Sequence, residues 1–281
     1  VTPTTFGQRL QAVTAQRGPM CVGIDPHAGL LEAWGLPDSV DGLKAFCEAA
    51  VTAFAGEIAV LKPQSAFFER FGAGGITVLE QLIPALRSAG ALVLLDAKRG
   101  DIGSTAQAYA DAYLRPDAPL AVDAMTAHAY LGFDALAPLI DTAHAHGTGV
   151  FVVGISSNPE GAAVQQARGP DGTTVGAAIL RSVAAANAMG PSPGAGSIGA
   201  VVGATLTRAE IGTDPDIGGP LLAPGIGAQG GTAAGLRALF GDALPRVLPS
   251  ASREVLRVGP DPAALKTAAL RIRDQVVALL G

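Results

Sequence analysis

Leu94-Leu95-Asp96-Ala97-Lys98-Arg99-Gly100-Asp101-Ile102 joins an apolar run to a short segment dense in charge. The residues leading into it, from 91 to 95, are continuously apolar, the pattern of a strand buried on both faces of a parallel sheet. The same form recurs along the chain. Residues 20–25, 58–62, 91–98, 121–126, 150–155, 198–203, 221–224 and 246–250 are short apolar runs, most of them ending in a polar residue, Gly or Pro. Between them lie segments of helical period at 43–54, 74–89, 105–114, 133–145, 175–189, 232–240 and 261–280. Asp261-Pro262 opens the last with an N-cap and a proline at the first helical position, and Gly90 stops the second. Eight strands, each followed by a helix or a long loop, predict an α/β fold, a single (β/α)8 TIM barrel over residues 1–281. An open doubly wound sheet is the alternative, but no Gly-x-Gly-x-x-Gly follows the first strand.

Composition narrows the function. Of 281 residues 49% are hydrophobic and 15% charged, with a net charge of −5. Soluble domains average about 25% charged residues, so this chain is apolar, which excludes intrinsic disorder. The acidic balance argues against nucleic acid as a partner, because a phosphate backbone needs clustered Lys and Arg. Residues 182–207 carry no charge until Thr207 is passed, yet Gly190-Pro191-Ser192-Pro193-Gly194 interrupts them, so no membrane helix is expected. Residues 1–16 lack the pattern of a signal peptide. Cys21 and Cys47 are expected as reduced core residues. The expectation is a soluble, cytoplasmic protein.

In such a barrel the chemistry sits at the C-terminal ends of the strands. Strand one delivers Asp25 there, strand two Lys62, strand three Asp96 and Lys98, and strand four Thr126 with His128 beyond it. Strand seven runs into Pro224-Gly225 and strand eight into Ser252-Arg253. The chain has four lysines, Lys44, Lys62, Lys98 and Lys266, and two of them stand at these strand ends. Alternation along a strand puts Asp96 and Lys98 on one face. Asp101 has left the strand and either returns to Lys98 or reaches a neighbouring subunit. A lysine between carboxylates is favoured in its charged form, which suits a proton donor and disfavours a Schiff-base nucleophile. An ordinary salt-bridge cluster is the structural alternative.

The segment from Pro224 to Gly231, Pro-Gly-Ile-Gly-Ala-Gln-Gly-Gly, leads into a helix at Thr232. Glycine backbones and a helix N-terminus favour an anion, and Arg253 offers a fork for phosphate oxygens. The loops after strands seven and eight are where barrels commonly hold phosphate. His27 and His128 stand near the barrel mouth, where a histidine is more often a satisfied structural residue than a functional one, and His144 and His146 are expected in solvent. No His/Cys/Asp cluster has structural-zinc spacing. Arg99-Gly100-Asp101 spells an adhesion tripeptide that a chance match explains.

Asp96-x-Lys98-x-x-Asp101-Ile102, with Asp25, Lys62, the 224–231 loop and Ser252-Arg253 in order, resembles the orotidine 5′-phosphate decarboxylase family and its barrel superfamily. The resemblance runs over most of the chain. The length and the long loop after strand five resemble the longer bacterial branch. It implies decarboxylation of orotidine 5′-monophosphate to uridine 5′-monophosphate, the last step of de novo pyrimidine nucleotide synthesis, with no cofactor and no metal. By the same resemblance Lys98 donates the proton, Asp96 and Asp101 position it, and Lys62 with Asp25 contacts the ribose hydroxyls. Gln229 and Arg253 hold the phosphate, with Pro224, Gly225 and Ser252 among the binding positions, and Thr126 contacts the pyrimidine. Asp101, Ile102 and Thr105 reach into the partner's site, so a homodimer is implied. Two alternatives are a magnesium-dependent sugar-phosphate aldolase or decarboxylase of the same superfamily and a non-catalytic nucleotide-phosphate sensor. Against the first, Lys62 stands where those relatives present an acidic metal ligand. Against the second, phosphate binding does not require the Asp96–Lys98–Asp101 trio.

Overall fold

The computed structural model describes residues 4–226 and 230–280, without the side chains of 233, 279 and 280. Eight parallel strands close on themselves in sequence order. They are β1 (Cys21–Ile24), β2 (Val60–Pro63), β3 (Leu92–Arg99), β4 (Ala124–His128), β5 (Gly149–Ile155), β6 (Ile198–Val202), β7 (Leu221–Pro224) and β8 (Val247–Ala251). The ring shuts where Cys21 pairs with Ser250 and Val22 with Ala251. Helices pack around the outside, the longer ones through an apolar stripe. In Val40–Phe54 the buried residues Leu43, Phe46, Cys47, Ala50 and Phe54 follow the 3.6-residue period, and the Ser39 hydroxyl caps Gly42 N. In the last helix, Pro262–Leu280, Asp261 caps Ala263 N at 3.3 Å and Ala264 N at 3.2 Å, the start the sequence predicts.

The sequence reading places no helix before strand one, but Phe6–Arg17 forms one, begun by a capping box between Thr5 and Gln8. This helix closes the floor of the barrel. Phe6 and Leu10 join Cys21, Val60, Leu94, Phe151 and Leu248 in the inner core, with the Phe6 ring edge-on to Phe151 at 5.8 Å. Gly149 makes room for it, since a Cβ there would lie 2.5 Å from the Phe6 ring. Burying such a ring contributes about 1.5–3 kcal/mol. The larger core fills the space between strands and outer helices. Both cysteines are free and buried, and burial pushes the thiol of Cys21 up to about 11 and that of Cys47 to about 12. His144 departs from expectation. It is half-buried, and burial lowers its pKa, whereas His146 is exposed.

Strand four begins at Ala124 rather than at 121. Just before it stands Asp123, whose side chain is 2% exposed. Its carboxylate accepts from Val93 N at 2.9 Å and from Arg9 Nη1 at 2.5 Å, and Arg87 Nε stands 3.4 Å away. A buried charge needs such partners, and here they come from the floor helix and the helix before β3. No helix among the described residues is long and apolar enough to cross a membrane.

Candidate active site

The strand ends open into a cavity of about 970 Å³ at the C-terminal mouth. Asp25, Lys62, Asp96, Lys98 and Thr126 line it from β1 to β4, and Pro224, Gly225, Ser252 and Arg253 from the β7 and β8 side. At its centre Asp96 lies between two ammonium groups. Oδ2 accepts from Lys62 Nζ at 2.9 Å and Oδ1 from Lys98 Nζ at 2.6 Å. The two lysines differ in environment. Lys62 is 9% exposed and Lys98 50%. The order is therefore a carboxylate flanked by lysines, where the sequence suggests a lysine flanked by carboxylates. Asp101 turns its Oδ1 to Ile102 N at 2.8 Å on the outer rim, so within this chain Asp96 is the acidic partner of Lys98.

Lys98 reaches Asp96 by a route that strict alternation does not describe. Leu95 pairs with Met125 while Arg99 pairs with Ala127, so β3 carries a bulge across Asp96 to Lys98. Lys98 sits there at φ 46°, the one non-glycine with positive φ among the described residues. A side chain in that region costs of order 1–3 kcal/mol and persists only where neighbours impose it. Thr126 is that neighbour. Its Oγ1 accepts from Lys98 N at 2.9 Å and donates to Asp96 Oδ1 at 2.9 Å, locking the bulge from the adjacent strand. The chain can press close here because Gly100 has no side chain, as a Cβ would fall 2.4 Å from the His128 carbonyl. The glycine of the adhesion-like tripeptide thus has a packing reason.

Burial by itself raises the Asp96 carboxyl, but the charges of Lys62 and Lys98 and their hydrogen bonds outweigh it and hold it at about 2. Burial by itself lowers Lys62, but Asp96 and Asp25 outweigh it and raise its pKa. The depressed Asp96 contributes stability that is complete above its ordinary 3.8 and lost as pH falls towards 2. The raised Lys62 contributes stability that is complete below 10.5 and lost only at more alkaline pH. The difference in unfolding free energy between the native chain and Asp96→Asn, from denaturant titrations, should then stay level from about pH 5 to 9 and shrink below about pH 4. A difference that falls steadily across the neutral range would count against the pairing.

Asp25 is held by Ser252, whose hydroxyl donates to Oδ2, while Oδ1 is buried with no hydrogen-bond partner among the described residues. The loop after β7 turns at Gly225, φ 108°, and returns where Gly231 N donates to the Gly225 carbonyl at 3.0 Å. Gln229 lies outside the described residues. Arg253 is exposed on the cavity wall at the first turn after β8. Asp101, Ile102 and Thr105 are not among the described cavity-lining residues and lie on the rim outside β3, with Ile102 61% exposed.

Of two further wall residues, Ser156 escapes sequence reading and His27 is left ambiguous by it. Ser156, just past β5, is pinned by Gln165, which accepts from Ser156 N at 2.9 Å and donates to its Oγ at 2.8 Å. His27 caps the helix Ala28–Ala33, Nδ1 accepting from Leu30 N at 3.2 Å, and its ring faces the cavity beside Phe67. His128 Nδ1 is buried without a partner among the described residues, next to Gly100. Also among the described residues, no three His, Cys, Asp or Glu side chains gather as a cation site.

A closed parallel barrel with a lysine–aspartate–lysine row and a glycine turn at its mouth defines a barrel enzyme built for an anionic substrate. Residues 18–268 match the orotidine 5′-phosphate decarboxylase / HUMPS family, and the chain belongs to it. It is 58% identical over 269 residues to the orotidine 5′-phosphate decarboxylase of Salinispora arenicola, covering 95% of each chain. Identity to that of Streptomyces coelicolor is 56% over 271 residues, covering 96% of each. Among solved structures, a candidate orotidine 5′-phosphate decarboxylase from Streptomyces avermitilis superposes with a TM-score of 0.95 at 52% identity, over 100% of this chain and 97% of that one. The OMP decarboxylase of Leishmania donovani gives 0.77 at 30%, over 98% and 99%.

Proposed function

We propose that the chain decarboxylates orotidine 5′-monophosphate to uridine 5′-monophosphate, as a carbon–carbon lyase of pyrimidine biosynthesis, with residues 1–281 forming one catalytic domain in the cytoplasm. The observation that carries this reading is the Lys62–Asp96–Lys98 row in the same cavity as the glycine turn and Arg253. Loss of carbon dioxide leaves an electron pair at C6 of the pyrimidine. Lys98 supplies positive charge beside it and then a proton, so the N–H bond breaks as the C–H bond forms. Fixed charges that complement this developing anion lower the barrier because they need no reorganisation. Lys62 continues the row, and with Asp25, which also lines the cavity, meets the ribose hydroxyls. Arg253, Gln229 and the backbone at Pro224 and Gly225 hold the phosphate, whose binding energy orients the distant ring. The single hydroxyl proton of Thr126 goes to Asp96, so towards a pyrimidine Thr126 acts as an acceptor, for a ring N–H.

Homodimerisation fits the rim. Ile102 at 61% exposure, Tyr130 at 78% and Leu131 at 53% follow adjacent strands β3 and β4 and form an apolar face around Asp101 and Thr105. We read that face as the dimer contact, through which Asp101, Ile102 and Thr105 complete the site of the other protomer.

The test is loss of the orotate absorbance band on incubation with orotidine 5′-monophosphate, with and without EDTA. Equal loss in both is expected, because Lys62 places a cation where a magnesium-dependent relative presents an acid. Loss only without chelator would point to metal-assisted chemistry, and an unchanged band in both would leave a phosphate sensor.

A further inference from the structure

The Asp96 carboxylate receives a fourth donor besides Lys62, Lys98 and Thr126. The carboxamide of Gln64 stands 2.9 Å from Asp96 Oδ2 and 2.8 Å from the Asp96 backbone carbonyl. Both are acceptors, so the near atom of the amide is its nitrogen, which has two protons to donate. A carboxylate offers about four lone-pair positions, and here two charged and two neutral donors fill them. Gln64 lies two residues past Lys62 on the continuation of β2, bridged in parallel to Asp96, with its own N donating to the Ile24 carbonyl at 3.2 Å. It is half-buried and is not among the described residues that line the cavity, so it meets the site through Asp96.

We infer that Gln64 is a positioning residue for the decarboxylation, fixing the rotation of the Asp96 carboxylate so that one oxygen stays on Lys98 while the other stays on Lys62. This rests on the activity proposed above. Two ammonium groups compete for one carboxylate, and the competition changes during turnover. When Lys98 gives its proton to C6 it becomes a neutral amine, and the pull on Asp96 becomes one-sided towards Lys62. The bonds from Gln64 and Thr126 carry no net charge and do not change in that step. They hold the carboxylate in place until Lys98, half-exposed at the mouth, recovers a proton from solvent.

The experiment compares Gln64→Leu, Gln64→Asn and Gln64→Glu with the native enzyme for kcat and KM from about pH 5 to 9, alongside uridine 5′-monophosphate affinity. Gln64→Leu should lower kcat by about tenfold or more, the scale of one hydrogen bond to a charged group, with KM and nucleotide affinity within about threefold. Gln64→Asn, one methylene short, should fall between. In Gln64→Glu the new carboxyl meets the carboxylate of Asp96. The other charged groups around it are Lys98 on β3, Asp25 on β1, Lys62 on its own strand and the adjoining Glu69–Arg99 pair. Ionised, it repels Asp96. Protonated, it donates as the amide does. Its kcat relative to native should therefore rise as pH falls, a rescue within one folded protein that a merely structural role would not produce. Should Gln64→Leu fail to fold, this profile carries the test alone. A Gln64→Glu ratio flat with pH, or a Gln64→Leu kcat equal to native, overturns the inference while native turnover stands. A native enzyme that leaves the substrate intact overturns the activity, and this inference with it.

Discussion

Lys98→Ala should abolish turnover of orotidine 5′-monophosphate by several orders of magnitude while lowering stability by no more than about 1 kcal/mol. The two halves of that expectation have separate causes. The ammonium supplies both the charge opposite the developing carbanion and the proton that quenches it, and alanine supplies neither. Its side chain is half-exposed, so removing it leaves Asp96 still paired with Lys62 and held by Thr126. Nucleotide affinity should fall much less than kcat, since the proposed phosphate contacts are on the β7 and β8 side. Single-turnover decay of the orotate band, with uridine 5′-monophosphate titration and thermal unfolding alongside, checks all three. Activity retained within about tenfold, ~1.4 kcal/mol, would remove Lys98 from the role of donor.

Asp123→Ala should do the reverse. Asp123 lies at the opposite end of the barrel, 2% exposed, and holds Arg9, Arg87 and Val93 N. Alanine there leaves a buried strand N–H without its acceptor and two guanidinium groups without their counter-ion. Breaking a buried pair from one side costs about 3–5 kcal/mol, and the partial exposure of both arginines puts this case near the lower figure. Denaturant unfolding should report that loss, while kcat and KM of the folded fraction stay native. Asn at the same position keeps an acceptor for Val93 N and should lose less. Unchanged stability in Asp123→Ala would mean that the floor is held by its apolar contacts alone.

The strands were legible because each is a continuous apolar run interrupted by polar, glycine or proline residues, and such runs recur at the spacing a barrel needs. The lysines stood out because the chain has so few. What one strand cannot reveal about itself is what its neighbour does to it. Alternation puts Asp96 and Lys98 on one face, whereas the structure joins them through a bulge at positive φ that depends on a threonine 28 residues further on. Gln64 is equally silent in sequence, since a single amide two residues past a lysine has no pattern. The floor helix did carry a local sign, Thr5 and Gln8 spaced as a capping box, although its apolar stripe is short. Asp123 hid within an apolar run because its three partners come from distant segments.

The plug formed by Phe6 and its helix bears on traffic as well as stability. With the lower end stoppered, nucleotide and gas must share one doorway, so the small product escapes upward past the larger one or waits for it to leave. Any inhibitor that corks this doorway should therefore imprison whatever lies beneath it.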